Sequence, residues 1–455
     1  MPGIRTEKNA ITNGVIWKQL ILFFIPIFLQ SVFQQLFSIT DAIIVGQVVG
    51  KAGLGAINST SNLIRLFINL FVGLCSGAAI VVGQSWGAED WDKVSRCVHT
   101  GVTLSLAGGV LLAAVCVALT PVFMWVMRIP ADMRQLSSTY TWIYFLGIPG
   151  TFVYNMTAGV LRAIGDSKRP FYYLIASLIV NILLDLALVM GLRTGVAGAA
   201  VATAAAQYVC AGLTLLRLCR AEDASKVRRK QLRIWKTECR EMVKLGVPIA
   251  LQGMLYSISN IALQSTVNSL GTDVIAAWGV HVKIDSVIWS VYDAFGIASS
   301  TFAAQNYGAG KLERVRKSIR TSLVLGLIII VALSALIWFF VRPLSRLFVG
   351  DDTVIGIAAY VSRLMAPWYF FYLFGTVLSA SIRGCGETFR PMILTLIGTC
   401  GFRLLWVAAV HLFGGPTVVS VAWGYPASWF FQSLLFVIYY FTGKWRSRLY
   451  PAAAS

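Results

Sequence analysis

The run Gln84-Ser-Trp-Gly87-Ala88 returns as Gln305-Asn-Tyr-Gly308-Ala309, 221 residues later. Arg162, Gly165, Asp166, Arg169 and Pro170 return at the same offset as Arg383, Gly386, Glu387, Arg390 and Pro391. Pro26-Ile-Phe-Leu-Gln30 and Pro248-Ile-Ala-Leu-Gln252 agree at an offset of 222. A nearly constant offset over most of the chain marks a duplicated unit. Whatever the first half folds into, the second half must fold into as well.

Each half is too apolar for an ordinary soluble core. Of the 455 residues, 57% are hydrophobic and 13% charged, which places the chain among polytopic membrane proteins. A bilayer core of about 30 Å takes ~20 apolar residues at ~1.5 Å each. Twelve spans satisfy this, at roughly 15–46, 57–83, 98–120, 137–160, 171–191, 196–218, 241–268, 275–304, 319–341, 355–380, 392–413 and 418–441. Six spans per half insert both repeats in the same orientation, with the axis relating them along the membrane normal. The expected fold is therefore an all-α integral membrane protein. Its twelve transmembrane helices form two pseudo-symmetric six-helix lobes around a central cleft that opens to alternate sides. The expected divisions are an N-terminal lobe at 1–218, a basic cytoplasmic linker at 219–240, a C-terminal lobe at 241–441 and a cytoplasmic tail at 442–455.

The formal net charge of +19 would suggest nucleic acid in a soluble chain. Its placement points to topology instead. With both termini inside, the inner segments and the central linker hold 28 of the 38 basic residues, as the positive-inside rule requires. The basic excess reads as contact with anionic membrane lipid, and no nucleic-acid partner is expected. The eight cysteines are scattered without a CxxC or Cys/His cluster, so neither a disulfide framework nor a zinc site is indicated. No P-loop, HExxH or GxSxG run occurs, so ATP hydrolysis and enzyme chemistry are not expected and no cofactor is called for.

The chemistry lies inside the spans. In the first, Pro26 removes a backbone donor and is the expected hinge. Below it Gln30, Gln34, Ser38 and Asp41 share one face. A charge at this depth costs at least ~2.5–3.5 kcal/mol on insertion scales, so Asp41 must face protein or water. It is either a structural carboxylate bonded to a neighbouring helix or a protonation or ion site beside the hinge, and the second reading is preferred. The fifth span aligns Tyr173, Ser177, Asn181 and Asp185, the sixth offers Thr203 and Gln207, and the fourth offers Tyr140 and Tyr144. Carboxylates with such partners can share a proton, and the same oxygens can hold Na⁺.

The second half differs. Under the repeat, Phe402 and Trp406 stand where Asn181 and Asp185 stand in the first. The seventh span carries Gln252, Tyr256, Asn260, Gln264 and Asn268 at steps of four, and the eighth carries His281, Asp285, Trp289 and Asp293. A polar stripe beside carboxylates and aromatic rings suits an amphipathic organic cation. The plain alternative is interhelical hydrogen bonding that holds the bundle together. Arg65 in the second span is placed with this cleft, as an ion-pair partner for Asp285, while Arg403 lines the cleft or snorkels. The Arg162–Pro170 run and its copy read as Gly/Pro turns with charged caps.

Together these residues resemble the multidrug and toxic compound extrusion (MATE) family, in the branch of the DNA-damage-inducible and archaeal members. The carriers are Ile16-Trp-Lys-Gln with Pro26, Gln34-Gln35, Asp41-Ala-Ile-Ile-Val-Gly46, Gln84–Ala88, the Arg162–Pro170 turn and its copy, and Asn181 with Asp185 before Gly198-Ala-Ala-Val-Ala-Thr203. The resemblance covers nearly the whole chain. It implies that Asp41, Asn181, Asp185 and Thr203 bind the coupling H⁺ or Na⁺, with Tyr140 or else Tyr144 as the tyrosine of that site. It also implies that Pro26 bends the first helix. The family's second ion site uses acids on the seventh and tenth helices, where this sequence has none, so Asp285 and Asp293 are read as substrate-recognition residues. The expected activity is secondary antiport in a bacterial or archaeal inner membrane, exporting small organic compounds as a monomer. The runner-up is a lipid-linked oligosaccharide flippase of related fold, which needs a strongly cationic cleft.

Overall fold

A run of apolar residues in a bilayer must satisfy its backbone donors and acceptors internally, and the α-helix does so within one segment. The computed structural model describes residues 10–48, 50–126, 129, 131–443 and 445, with backbone alone for 37–48, 50–67, 126, 131 and 132. Among the described residues there is no strand, and after a one-turn helix at Ala10–Asn13 the chain forms twelve long helical segments. These are α1 (Ile16–Val48), α2 (Gly50–Gly87), α3 (Trp91–Val126), α4 (Ala131–Ala163), α5 (Lys168–Gly191) and α6 (Gly195–Cys219). The second half repeats them as α7 (Lys236–Asn268), α8 (Thr272–Gly308), α9 (Leu312–Arg346), α10 (Asp352–Gly384), α11 (Phe389–Phe413) and α12 (Val418–Thr442). Eleven of these are long and apolar enough to cross a membrane. The exception is α4, whose opening turns carry Arg134, Ser137, Ser138, Thr139 and Thr141.

The helices extend past the apolar spans because the charged residues at their ends continue the helix. The connections are where the repeat is clearest. Gly165 and its counterpart Gly386 both have positive φ, +102° and +85°, a conformation glycine adopts at little cost. The Asp166 carboxylate accepts from the Arg169 backbone at 3.1 Å and from its guanidinium at 2.9 Å. Arg390 stands 3.9 Å from Glu387 in the copy. The glycine turn with its arginine–carboxylate pair thus recurs in both halves, and in the first the carboxylate also accepts from the helix backbone.

Contacts divide the chain into two compact units, and neither is a simple half. Leu29–Ala250 form one unit, while the described residues up to Phe28 join Leu251 onward in the other. α1 therefore changes unit two residues after Pro26, and α7 changes unit two residues after Pro248. The helix is continuous through both prolines. The missing proline donor weakens the ladder at the two repeat-related places where each helix leaves one unit for the other.

In the first unit, the opening turns of α7 meet α2 backbone to backbone. A Cβ on Gly73 would stand 2.4 Å from the backbone of Ala250, and one on Gly77 2.5 Å from Gly246 N and Met242 O. Small residues spaced four apart on each helix permit this approach, the usual way that membrane helices gain dispersion contact. In the second unit the corresponding contact is aromatic. Phe24 lies 4.5 Å from Phe295 and Phe23 5.9 Å from Phe302, ring centre to ring centre. Arg314 donates to the carbonyls of Ile11 and Gly14, and Lys311 to Thr12 O at 3.1 Å, holding the start of the chain to this unit.

The polar connection after α6 is docked rather than free. Arg228 N donates to His99 Nε2 at 2.9 Å, Val227 N to Leu218 O at 3.1 Å, and Trp235 N to Thr100 Oγ1 at 3.2 Å. Arg96 pairs with the buried Glu238, and Lys93 with Glu241 at 2.8 Å. An irregular backbone needs acceptors, and the first turns of α3 and the end of α6 supply them.

Candidate functional site

In the first unit, helix register determines which polar groups share a level. The Ser177 hydroxyl of α5 donates to Ala206 O of the antiparallel α6 at 2.7 Å. α4 and α6 run parallel, with Thr157 donating to Thr214 at 2.8 Å and Gly150 against Gln207, each pair 57 residues apart. Carried along the helices, these contacts set Asn181 level with Ala202 and Thr203. They set Asp185 level with Gly198, one residue from the level of Tyr140. Asn181 and Asp185 are buried, at 0% and 1% exposure, Tyr140 is buried with its ring 5.9 Å from Tyr144, and Thr203 is half-buried.

Both side-chain amide atoms of Asn181 lack a hydrogen-bond partner among the described residues. An unsatisfied buried polar group costs ~1–3 kcal/mol. Directly after Asp185 the helix widens into a π turn over Leu186–Gly191, a feature that recurs at functional sites. Gln34 is exposed and Pro26 buried. The side chains of Asp41 and Arg65 lie outside the described residues, and with them the expected pairing of Arg65 with Asp285.

In the second unit the two carboxylates of α8 part company. Asp285 is buried and its Oδ2 accepts from Trp289 Nε1 at 2.6 Å. Asp293, two turns further on, is exposed and has no pairing group among the described residues. Around Trp289 stand Tyr372 at 4.9 Å, Tyr292 at 5.5 Å, Tyr256 at 6.4 Å and Trp429 at 6.5 Å between ring centres. His281 is engaged with Ser362 at 2.9 Å.

The stripe on α7 is spent mostly on neighbouring helices. Gln252 donates to Thr395 at 3.2 Å, and Asn260 Oδ1 accepts from Arg403 at 2.7 Å. Arg403 neither snorkels nor lines an opening, because it is completely buried. It donates to Ser428 at 3.1 Å and sits over the rings of Tyr425 at 4.6 Å and Tyr256 at 5.1 Å. Tyr372, Tyr425 and Trp429, which surround this built-in cation and Trp289, are the residues that the sequence alone did not single out. The step of four from Tyr425 to Trp429 in the last span is the signal that marks them. Arg403→Lys is expected to lower stability by ~2 kcal/mol, because an ammonium cannot fork to two acceptors while lying flat on two rings. Thermal unfolding of the purified protein measures this, and an unchanged midpoint would mean that the fork and the stacking carry no weight.

The sequence model of the MatE family matches residues 26–187 and 248–407. The chain is 30% identical to "Probable multidrug resistance protein YoeA" of Bacillus subtilis, over 97% of this chain and 96% of that one. It is 28% identical to "Probable multidrug resistance protein YpnP" of the same organism, over 96% and 97%. Its fold matches that of a MOP superfamily transporter from Pyrococcus furiosus with a TM-score of 0.88 at 20% identity, covering 98% of this chain and 99% of the other.

Proposed function

The chain belongs to the MatE family, and from that premise we propose that it is a secondary antiporter exporting amphipathic organic compounds from the cell. In this reading, inward H⁺ or Na⁺ at Asp41, Asn181, Asp185 and Thr203 drives the export. Tyr140 and Gln34 flank the ion path. The observation that carries the proposal is the fully buried amide of Asn181, without a partner among the described residues and one turn from Asp185. Oxygens and an amide at adjacent levels of α4, α5 and α6 make a donor set that suits a proton or a hard cation. Pro26 and Pro248 act as paired hinges, since each stands where a helix changes unit. Bending there lets the substrate side open to one membrane face and then the other.

The substrate is met in the second unit. A carboxylate inside a span cannot rest in hydrocarbon, so the exposed Asp293 faces water and is free to attract a cation. Asp285 is already bound to Trp289 and orients that ring. Tyr256 and Trp289 supply the adjoining aromatic surface, and the half-buried Gln252 and Asn260, bonded to Thr395 and Arg403, form its polar edge. A flippase reading needs a strongly cationic cleft and loses Arg403, which is committed to Asn260, Ser428 and two tyrosines.

Binding to the detergent-purified protein tests the substrate half. Asp293→Asn is expected to weaken a cationic dye roughly tenfold, equivalent to ~1.4 kcal/mol, while a neutral analogue of the dye is unaffected. Equal weakening of both would remove Asp293 from charge recognition.

A further inference from the structure

Between α9 and α10 the second unit carries a groove that the transport reading does not use. Its mouth is a recess of about 440 Å³ lined by Trp338, Arg342, Gly356, Tyr360 and Arg363. It continues, sharing Trp338, into a slot of about 270 Å³ lined by Val331, Ser334, Phe339, Pro367 and Phe370. Pro367 lies in the tight 3₁₀ turn Ala366–Trp368 that interrupts α10 beside the slot. The groove follows α9 from Arg342 to Ile330, ~18 Å of helix, which compares with ~15 Å for one leaflet of the hydrocarbon.

The charges at its mouth lack carboxylate partners among the described residues. Arg363 is held in place by donation from Nε to Trp338 O at 3.1 Å, which leaves its terminal nitrogens free to turn to the mouth. Arg342 is exposed, and no carboxylate pairs with either arginine among the described residues. The nearby acids are engaged elsewhere. Asp351 caps α10 through Thr353 N and Val354 N, and Asp352 pairs with Arg346 at 3.9 Å. Guanidinium groups suit a phosphate, to which they donate in pairs. Trp338 and Tyr360 flank them, as aromatic residues do at headgroup depth.

We propose that this groove seats one phospholipid of net negative charge, its phosphodiester between Arg342 and Arg363 and one acyl chain along the slot toward Phe370. With both termini cytoplasmic, this end of the helices faces the outer leaflet, where the positive-inside bias gives no reason for paired arginines. The site stands on its own residues and does not depend on the nature of the transported compound.

Native mass spectrometry of the delipidated full-length protein, titrated with phosphatidylglycerol and separately with phosphatidylcholine, tests the proposal. Wild type should retain one phosphatidylglycerol roughly tenfold more tightly than phosphatidylcholine. Arg342→Gln with Arg363→Gln should erase that preference. Gly356→Leu should expel both lipids, since the Cβ position there has nothing within 4 Å and the side chain fills the recess without disturbing the helix. This second variant keeps the test decisive if the arginine pair proves necessary for folding. Equal retention of phosphatidylglycerol by wild type and both variants would overturn the proposal. So would its complete displacement by excess inorganic phosphate, which would make the site one for a free anion.

Discussion

Asp185→Asn is expected to abolish ion-driven export while leaving the protein folded. Asp185 is 1% exposed on α5, one turn from Asn181, whose amide has no partner among the described residues, and close to the level of Tyr140. A carboxylate in such a place justifies its cost when its charge is taken up and released in each cycle. Asparagine keeps the shape but neither ionises nor neutralises a cation. Coupling free energies between sites run ~1–3 kcal/mol, or ~5–150-fold. Expulsion of a fluorescent organic cation from cells expressing the variant should therefore fall toward the background of cells without it. The unfolding temperature of the purified variant should stay near that of wild type. Undiminished expulsion would remove Asp185 from the coupling step.

Gly77→Leu should have the largest effect on the fold itself. A Cβ there would lie 2.5 Å from Gly246 N and from Met242 O, and both are backbone atoms. No side chain can turn aside to make room, so α2 and α7 would have to separate. Overpacking usually costs ~1–3 kcal/mol, and a backbone-to-backbone contact lies at or above the top of that range. The variant should give little folded protein and a much lower unfolding temperature. Gly253→Ala on the same α7, with open space at its Cβ, should be nearly neutral. Similar behaviour of the two variants would show that the close crossing is not a determinant of stability.

The contrast between these two glycines shows what can be read from the chain without its fold. Spacing of four identified the faces carrying Asn181 with Asp185 and Asp285 with Trp289, and the offset of 221 pointed to twin turns at Gly165 and Gly386. Spacing along one helix does not reveal what stands opposite that face. Asp285 and Asp293 therefore looked alike, although one is bound to Trp289 and the other is exposed. Arg403 looked like a residue bound for an aqueous opening because its partners, Asn260 and Ser428, come from two other helices. The change of unit after Pro26 and Pro248 was also out of reach, since the repeat relates the two prolines without saying which residues each segment packs against. The docked connection after α6 reads as solvated because its anchors are backbone donors, which leave no mark in side-chain composition.

The central claim is that ion entry at the Asp41, Asn181, Asp185 and Thr203 cluster drives organic compounds outward. Dye efflux from proteoliposomes, with a pH gradient and a Na⁺ gradient imposed separately, tests it most directly when wild type is compared with Asp41→Asn and Asp185→Asn. The account predicts efflux driven by one of the two gradients and lost in both variants. Efflux that survives both substitutions, or no dye movement under either gradient, would contradict it.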